Sequence, residues 1–366
     1  MKAVIMAGGF GTRIRPLTTT LPKPMLPFLN RPLLLHLIDL LKRHGIRELV
    51  VLLHYQPSQI QDVLGDGRRF GVQVEYCTTT TNLGTAGATK LARRHLSDTF
   101  ILLSGDILTD FDLCAALTRH KTRKATASIL LSRADNPCAF GVVDIDSRER
   151  VTRFIEKPSP GEVFSDKINT GIYILEPEVL DLLPPTVACD WACDVFPFML
   201  RNTLPLSGLL CEGYWQDIGT PHAYLNACQD IYAGKVKLKH STSIHPSHQH
   251  GTVLLAEGCQ LDDSIHLNNV IIGRNCVIEP GCRLVNTILW DHVHLRRNSR
   301  VFGALLGNHV TTGPEVRIEQ AIIADRSRIN SRAHITRDAL IRSPLTSPSS
   351  HSYHLEPTPT KRPMAT

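Results

Sequence analysis

The sequence contains no long hydrophobic run, few aromatic residues and only a small excess of charge of one sign. Aromatic side chains make up 6% of the 366 residues, whereas hydrophobic residues make up 42% and charged residues 20%. No stretch approaches the roughly 18 consecutive apolar residues of a transmembrane helix. This composition is that of a globular protein with a sizeable core, and it excludes collagen-like, disordered and small disulfide-scaffold classes. The length favours two domains.

Charge and cysteine spacing exclude further classes of site. Lys and Arg number 40 against 34 Asp and Glu, so the formal net charge is +6. Such a mild excess is compatible with binding small anions and gives no reason to expect a nucleic acid or a membrane as a partner. No two of the ten cysteines have C-x-x-C spacing, so we expect neither zinc nor a redox pair there. The first apolar run ends at Gly8-Gly9, too short for a signal-peptide core, which predicts a cytoplasmic protein with reduced thiols.

Residues 1–234 alternate between strand-like and helix-like patterns. Short apolar runs bounded by turn residues predict strands at 2–6, 48–53, 72–76, 100–103, 127–131, 141–145 and 171–175. Helices are predicted at 33–41, where Asn30 would be the cap, at 57–64, at 86–95, and between Thr220 and Gly234. Repeated strand–helix–strand units predict an α/β domain with a mostly parallel sheet that is covered on both faces.

The character of the sequence changes after residue 234. Residues 235–250 are rich in Lys, Ser and His and predict a linker. A solvated linker is favoured over a metal site because no acidic or cysteine partner lies near its histidines (His240, His245, His248 and His250). Residues 341–366 are rich in Ser, Pro and Thr and predict a disordered tail.

Between linker and tail, a step of six residues carries mostly apolar side chains. The stepped positions are Val253, Cys259, Ile265, Ile271, Val277, Arg283, Leu289, Leu295 and Val301, and after a phase shift Val310, Val316 and Ile322. Six is not a helical period, and the pattern predicts a parallel β-helix over 251–340 in which each unit supplies one short face. Residues that tolerate tight turns lie near the expected corners (Asn268, Asn269, Gly273, Asn275, Gly281 and Asn298).

The segment from Gly8 to Pro27 carries the clearest chemical signal. It follows a predicted strand, and its glycines allow backbone N–H groups to point at phosphate oxygens. Arg13 can form a forked contact with a phosphate, and Lys23 supplies a compact positive charge. No Lys-Ser/Thr pair follows at the spacing of a P-loop, and no third glycine completes a dinucleotide-binding fingerprint. The segment therefore predicts a phosphate-binding loop of another class.

This segment resembles the opening of the sugar-nucleotidyltransferase (NDP-sugar pyrophosphorylase) family, G-G-x-G-T-R-x-x-P-L-T followed by P-K-P-x-x-P. Further motifs follow in the family's order: Leu83-Gly84-Thr85-Ala86-Gly87, Ser104-Gly105-Asp106, Phe140-Gly141-Val142, Glu156-Lys157-Pro158, Asn169-Thr170-Gly171 and Trp215-Gln216-Asp217-Ile218-Gly219. The repeat is similar to the left-handed β-helix that several branches carry at the C-terminus. Within the family, the P-K-P-M-L-P stretch and the layout most resemble the mannose-1-phosphate guanylyltransferase group.

The resemblance implies a Rossmann-like enzyme that converts a nucleoside triphosphate and a sugar 1-phosphate into a nucleotide sugar and pyrophosphate. The implied substrates are GTP and mannose 1-phosphate, and the implied assembly is a homo-oligomer formed through the C-terminal domain. The implied catalytic residues are Arg13, Lys23, Asp106 and Asp217, of which the two aspartates would hold Mg²⁺. Nucleotide binding is implied for Ala7, Gly8, Gly9, Gly11, Thr12, Arg13, Lys23, Gly84 and Thr85. Binding of the sugar phosphate is implied for Gly141, Glu156, Lys157, Asn169 and Thr170.

Several alternatives stay open. The substrates could instead be glucose 1-phosphate with UTP, dTTP or ATP, because the stretch from Thr78 to Asn82 lacks the acidic residues that family members often carry before L-G-T-A-G. A non-catalytic regulatory subunit would share the same layout, although the charged residues of the motifs are all retained. An acyltransferase built on the β-helix would use a coil histidine (His266, His292, His294 or His309) and would leave the N-terminal motifs unexplained.

Overall fold

The computed structural model describes residues 1–183, 188–236, 243–244, 249–336 and 340–341. The chain divides into two compact units, Met1–Lys239 and His240–Thr366. Most of the predicted linker, with His240, His245 and His248, lies outside the described residues, as does the predicted tail from residue 342 onward. Among the described helices, none is both long and apolar enough to cross a membrane.

The described residues of the first unit form eleven main strands and six α-helices. The strands are β1 (Ala3–Met6), β2 (Glu48–Leu53), β3 (Gln73–Thr78), β4 (Phe100–Ser104), β5 (Ile107–Thr109), β6 (Ala127–Arg133), β7 (Gly141–Ile145), β8 (Val151–Glu156), β9 (Lys167–Leu175), β10 (Leu206–Leu210) and β11 (Trp215–Asp217). The helices are α1 (Leu33–Arg43), α2 (Pro57–Leu64), α3 (Gly84–Lys90), α4 (Leu113–Arg123), α5 (Phe196–Arg201) and α6 (Pro221–Tyr232).

Nine of these strands form one sheet, in which the order β3-β2-β1-β4-β9-β7-β8 is completed by β6 beside β9 and β10 beside β6. Strands β1 to β4 are parallel, so that Val4 lies opposite both Val50 of β2 and Leu102 of β4. Strand β9 then joins antiparallel to β4 and to β6. The predicted α/β fold with a parallel-dominated sheet is confirmed. The carboxyl ends of β1 and β4 lie side by side, at the edge where open α/β sheets bind ligands.

The sheet is buried on both faces, which explains why its central strands are apolar throughout. Alternate residues of a strand point to opposite sides, so Ile5 packs with Leu37 of α1 in one core cluster. Its neighbour Val4 packs with Trp191 in the second cluster on the other face. Each fully buried aliphatic side chain contributes about 1.5–3 kcal/mol relative to exposure. The two layers together hold the loops at the carboxyl edge on a rigid support.

The start of α1 differs from the prediction. The N-cap is Pro32, which offers no side-chain cap, and the prediction that Asn30 caps this helix is wrong. The reason is that Arg31–Pro32 pairs as a short antiparallel ribbon with Pro27–Phe28, which keeps the backbone extended up to residue 32. Asn30 lies in the turn of that ribbon with φ of 59°. The predicted helix 86–95 is likewise two pieces, α3 and a short 3₁₀ turn at Arg93–His95.

The second unit is a stack of short parallel strands, as expected of a β-helix, apart from Ser243–Ile244, which pairs antiparallel with Gln249–Leu255. Its strands are Ser243–Ile244, Gln249–Leu255, Gln260–Leu261, His266–Ile272, Val277–Ile278, Arg283–Leu289, His294–Leu295, Arg300–Phe302, Leu305–Leu306, Thr311–Thr312, Arg317–Glu319, Ile322–Ile323, Arg328–Ile329, His334–Ile335 and Leu340–Ile341. Leu284 aligns with Val301, and Val301 aligns with Ile318, so successive coils are 17 residues apart.

The coil length shows that the six-residue step does not mark the inward position in every coil. Leu289, Leu295 and Val301 fill the axis as predicted, whereas Arg283 is exposed and Leu284 takes the inward position beside it. A coil of 17 residues is one short of three six-residue units, so a strict step of six drifts off the inward face. Asn275 and Asn298, predicted near the corners as residues that tolerate tight turns, take the left-handed conformation, with φ of 53° and 59°.

Candidate active site

A glycine loop (residues 8–11) follows β1 at the carboxyl edge of the sheet. The backbone N–H of Ala7 still donates to the Leu52 carbonyl at 3.0 Å, and the chain leaves the sheet after it. Gly11 has φ of +61°, and a Cβ there would lie 2.9 Å from the Thr18 side chain. The Thr18 hydroxyl donates to the Gly11 carbonyl at 2.7 Å and fixes the turn. The loop is therefore held in a shape that requires glycine.

Lys23 lies at the centre of the site. Its side chain is only 8% exposed, and its ammonium group makes ion pairs with Asp106 and, at 3.3 Å, with Asp217 Oδ1. The Ser104 hydroxyl also donates to Asp106. Buried charges of this kind are retained only where they are paired, so Lys23 neutralises two carboxylates at once.

Two short strands bring the aspartates together from distant parts of the chain. Strand β11 runs antiparallel to β5, with Asp217 opposite Ile107. The backbone N–H of Ile218 donates to the Asp106 carbonyl at 3.0 Å. Asp106 follows β4 directly, and Asp217 ends β11, so both carboxylates lie at the carboxyl edge beside the glycine loop.

The two carboxylates differ electrostatically. Burial alone would raise the pKa of Asp106, but the Lys23 ammonium and the Ser104 hydroxyl outweigh burial and hold that pKa below its usual range. Burial, together with the negative charge of Asp106, raises the pKa of Asp217, although Lys23 and Arg13 oppose the shift. Asp217 is therefore the less stabilised carboxylate of the pair, and a further cation would stabilise it most.

The donor set of this pair fits Mg²⁺. Carboxylate oxygens are the ligands that this hard cation prefers, and it is commonly held by one or two carboxylates together with substrate phosphates. Asp106 and Asp217 converge on one point, where the Lys23 ammonium shows that positive charge is favoured. These residues would hold the ion.

Arg13 lies at the mouth of the site. It belongs to the short turn Thr12–Ile14, and its guanidinium is 3.9 Å from Asp217 Oδ2. Its side chain is 62% exposed, so this contact is loose and the guanidinium keeps its donors available to a ligand.

The loop before α3 is tied to residues 189–191, a connection that sequence reasoning missed. The Cys189 carbonyl accepts from the backbone N–H groups of Ala86 and Gly87, at 2.9 and 3.1 Å, so the first turn of α3 has its donors occupied. Gly84 has φ of +69°, and a Cβ there would overlap the Cys189 carbonyl. The Thr85 hydroxyl donates to Asp190 Oδ2 at 2.7 Å and accepts from the Trp191 N–H. Thr85 thus positions the loop through contacts inside the protein.

The predicted sugar residues form a second group around Gly141. A Cβ at Gly141 would lie 2.6 Å from Glu156 Oε2 and 3.3 Å from the Asn169 side chain, so these three residues surround one point. Asn169 donates to the Tyr173 hydroxyl at 3.0 Å. Lys157 is 3.5 Å from Glu156, and its side chain is 59% exposed. Burial raises the pKa of Glu156, and the Lys157 ammonium only partly opposes that shift.

Thr170 is placed differently from the other four sugar residues. Its side chain is buried, and its hydroxyl donates to the Leu130 carbonyl at 2.6 Å. Its own carbonyl accepts from Trp215 Nε1 at 2.9 Å, which links β9 to the strand that ends in Asp217. The Thr170 side chain therefore braces the site from inside the core.

A cavity of about 400 Å³ connects the glycine loop to the α3 loop. It is lined by Met6, Gly8, Gly9, Phe10, Leu52, Leu53, His54, Cys77, Thr79, Thr81, Asn82, Leu83, Gly84, Thr85, Ala88, Leu91, Ser104, Asp106 and Asp190. Five predicted nucleotide or catalytic residues are in this set. The residues around Gly141 do not line the cavity, but the Asp190 carboxylate at its wall acts electrostatically on Glu156.

Residues 2–234 match the Nucleotidyl transferase family. The chain belongs to this family. Residues 249–345 match a second family, described as the GMPPB C-terminal domain.

Named relatives fall into two substrate groups. The chain is 35% identical over 281 residues to the probable mannose-1-phosphate guanylyltransferase 1 of Oryza sativa subsp. japonica, covering 72% of this chain and 76% of that protein. It is 36% identical over 251 residues to a UTP–glucose-1-phosphate uridylyltransferase of Synechocystis, where the match spans 65% of each chain. A solved structure of a putative glucose-1-phosphate thymidylyltransferase from Bacillus anthracis is 27% identical, with a TM-score of 0.57, covering 62% of this chain and 93% of that one.

Proposed function

We propose that this protein is an active sugar-1-phosphate nucleotidyltransferase that makes GDP-mannose and pyrophosphate from GTP and mannose 1-phosphate. The observation that supports it most is the Lys23 ammonium held between Asp106 and Asp217 beside the glycine loop. A regulatory subunit would have no need to keep two partly buried carboxylates and a buried lysine in contact. The guanylyltransferases among the relatives favour GTP and mannose 1-phosphate over the glucose alternatives.

The reaction needs no activated serine or cysteine. An oxygen of the sugar phosphate attacks the α-phosphorus of the nucleotide, a new P–O bond forms, and the bond to the leaving pyrophosphate breaks. Such a transfer depends on positioning and on neutralising phosphate charge. The N–H groups of the glycine loop and the exposed Arg13 guanidinium would bind the leaving pyrophosphate. Lys23 would balance charge near the attacked phosphorus. Mg²⁺, held by Asp106 and Asp217, supplies further neutralisation of phosphate charge when bound.

The group around Gly141 would bind the sugar phosphate. Glu156 and Asn169 offer a carboxylate and an amide for sugar hydroxyls, and the absent side chain at Gly141 leaves room for the ring. Lys157 lies next to Glu156 with most of its surface exposed, and its ammonium can pair with the sugar's phosphate. A hydroxyl donating to Glu156 would interact with the charged carboxylate, a stronger hydrogen bond than one between neutral groups.

The assembly and the location of the protein are proposals of the same kind. We propose a homo-oligomer formed through the second unit, and a cytoplasmic enzyme. Removal of residues after 234 should lower the mass measured by light scattering to that of a monomer. An unchanged oligomer, from a truncated protein that still shows a cooperative unfolding transition, would contradict this assembly role.

The substrate proposal is tested with a grid of purified components. The protein is mixed with Mg²⁺ and each of GTP, ATP, UTP and dTTP, against mannose 1-phosphate and glucose 1-phosphate, and pyrophosphate release is followed. We expect GTP with mannose 1-phosphate to give the highest kcat/KM. A higher value for any glucose 1-phosphate pair would replace this substrate assignment. No release in any of the eight mixtures would reject the enzyme proposal.

A further inference from the structure

We place the nucleotide base at the α3-loop end of the cavity, because Lys23 and Asp106 mark the phosphate end, and both carboxylates that line the cavity already have partners. The stretch from Thr78 to Asn82 contributes only hydroxyl and amide groups there. The two carboxylates that line the cavity are Asp106 and Asp190. Asp106 is engaged by Lys23 and Ser104 at the phosphate end.

Asp190 is already hydrogen bonded within the protein. Its Oδ2 accepts from the Thr85 hydroxyl at 2.7 Å. Its Oδ1 accepts from the backbone N–H groups of Ala192 and Cys193, at 2.8 and 3.1 Å. These contacts cap the turn at Trp191–Val195 and use three of the roughly four acceptor sites of the carboxylate.

Other acceptors along the same wall are likewise used. The Leu53 carbonyl accepts from the Thr79 N–H at 3.0 Å, and the Leu83 carbonyl accepts from the Cys189 N–H at 2.9 Å. The Thr79 hydroxyl donates to the Thr81 carbonyl at 2.9 Å, and Asn82 Oδ1 accepts from the Gly84 N–H. These groups therefore already have hydrogen-bond partners within the protein.

His54 differs from these groups. Its Nδ1 lies 2.9 Å from the Thr79 carbonyl, and because a carbonyl only accepts, Nδ1 carries the proton. In the neutral imidazole the opposite nitrogen, Nε2, is then a hydrogen-bond acceptor. Across the part of the chain that the structure describes, Nε2 has no hydrogen-bond partner. The edge-to-face contact with Phe10, at 5.3 Å between ring centroids, helps to hold the ring orientation.

We propose that His54 is the specificity-determining residue for the nucleotide base, with Nε2 accepting a hydrogen bond from a base N–H. This inference rests on the proposed function and assigns base selection to that same cavity. Guanine presents adjacent N–H donors at N1 and at its exocyclic amine, whereas adenine presents an acceptor at N1. With Nε2 facing position N1 of the base, its lone pair favours GTP over ATP, since guanine N1–H donates to it whereas adenine N1 would oppose it without a proton between them.

Two substitutions separate the roles of the ring nitrogens. His54→Asn keeps an amide donor near the position of Nδ1, so the contact with the Thr79 carbonyl is retained and the acceptor is lost. His54→Gln carries an amide oxygen that can reach the position of Nε2 and restore the acceptor. His95→Asn is the control, because His95 pairs with Glu75 and does not line the cavity.

The measurement is kcat and KM for GTP and ATP at saturating mannose 1-phosphate, with direct GTP binding by calorimetry. We expect His54→Asn to raise KM for GTP about 10- to 100-fold with kcat little changed, and to reduce the GTP-to-ATP ratio of kcat/KM by a similar factor. His54→Gln should recover most of the loss, and His95→Asn should match the wild type.

The outcomes that overturn the proposal are distinct from failure of the enzymatic function. If His54→Asn keeps the GTP-to-ATP ratio of the wild type, His54 does not read the base and at most supports the Thr79 backbone. If the wild type releases no pyrophosphate, the calorimetric comparison of GTP with ATP still decides the matter. Equal loss of GTP and ATP affinity in His54→Asn would then reject a role in base selection.

Discussion

Replacing Lys23 with methionine tests the electrostatic centre of the site. The substitution leaves a chain of similar length, so packing is nearly kept, and it removes the ammonium group between Asp106 and Asp217. Breaking a buried ion pair by removing one partner costs about 3–5 kcal/mol, because the remaining charge is uncompensated. The carboxylates keep 25% and 24% of their side-chain surface exposed, which allows water to offset part of the loss. We therefore expect Lys23→Met to lower the free energy of unfolding by about 3 kcal/mol, the lower end of that range.

This loss of stability should be measurable as a lower Tm. For a unit of this size, 1 kcal/mol shifts Tm by about 2–4 °C, so Lys23→Met should lower Tm by about 6–12 °C. Adding Mg²⁺ should raise the Tm of this variant more than that of the wild type, because the cation replaces the missing charge. Pyrophosphate release should fall about 10²–10³-fold, the usual effect of losing one group that stabilises transition-state charge.

A double variant separates charge compensation from loss of packing. Lys23→Met combined with Asp106→Asn removes one of the two carboxylates left without the ammonium group, so it should unfold at a higher temperature than Lys23→Met alone. Thermal unfolding by circular dichroism compares the wild type with both variants. A Tm for Lys23→Met equal to that of the wild type would refute the reasoning, as would a double variant no more stable than Lys23→Met.

Three further predictions follow from the same structure. Gly84→Ala should lower the free energy of unfolding by at least about 1–2 kcal/mol from the left-handed backbone alone, and urea titration measures it; unchanged stability would contradict the tie to Cys189. Glu156→Gln should raise KM for mannose 1-phosphate about tenfold while KM for GTP stays constant, in steady-state assays; an equal rise in both would place Glu156 outside the sugar site. Burial lowers the pKa of His120, although Glu176 opposes the shift, so stability should be lost as pH falls through the unfolded value of about 6.5. In His120→Asn this pH dependence of Tm should disappear, and its persistence would point to another group.

Local patterns predicted seven of the eleven main strands and four of the six helices described in the first unit, because these strands are mostly short apolar runs bounded by turn residues. They did not predict the contact between Lys23 and the aspartates, which are 83 and 194 residues away in the sequence. That contact depends on the pairing of β5 with β11, two three-residue strands with no periodicity to detect. The resemblance to the family brought the three residues into one prediction, and the sheet explains why they meet.

Other errors have equally local causes. Asn is a favoured helix-capping residue, but the two residues after Asn30 pair in the antiparallel ribbon, so the helix begins only at Leu33. The six-residue step identified the β-helix but placed Arg283 on the inward face, because a coil of 17 residues is one short of three six-residue units. Asp190 and His54 lie in none of the motifs that the sequence analysis identified. Their roles depend on which acceptors their neighbours occupy, and only the three-dimensional arrangement reveals that.

The most direct test of the account is the rate of pyrophosphate release from GTP and mannose 1-phosphate by the wild type, Asp106→Asn and Asp181→Asn. Asp181 is an exposed aspartate that pairs with Arg93, away from the site, so it serves as the matched control. The account predicts a rate near that of the wild type for Asp181→Asn and a loss of at least about 100-fold for Asp106→Asn, with both variants folded. Turnover by Asp106→Asn at the rate of the wild type would contradict it.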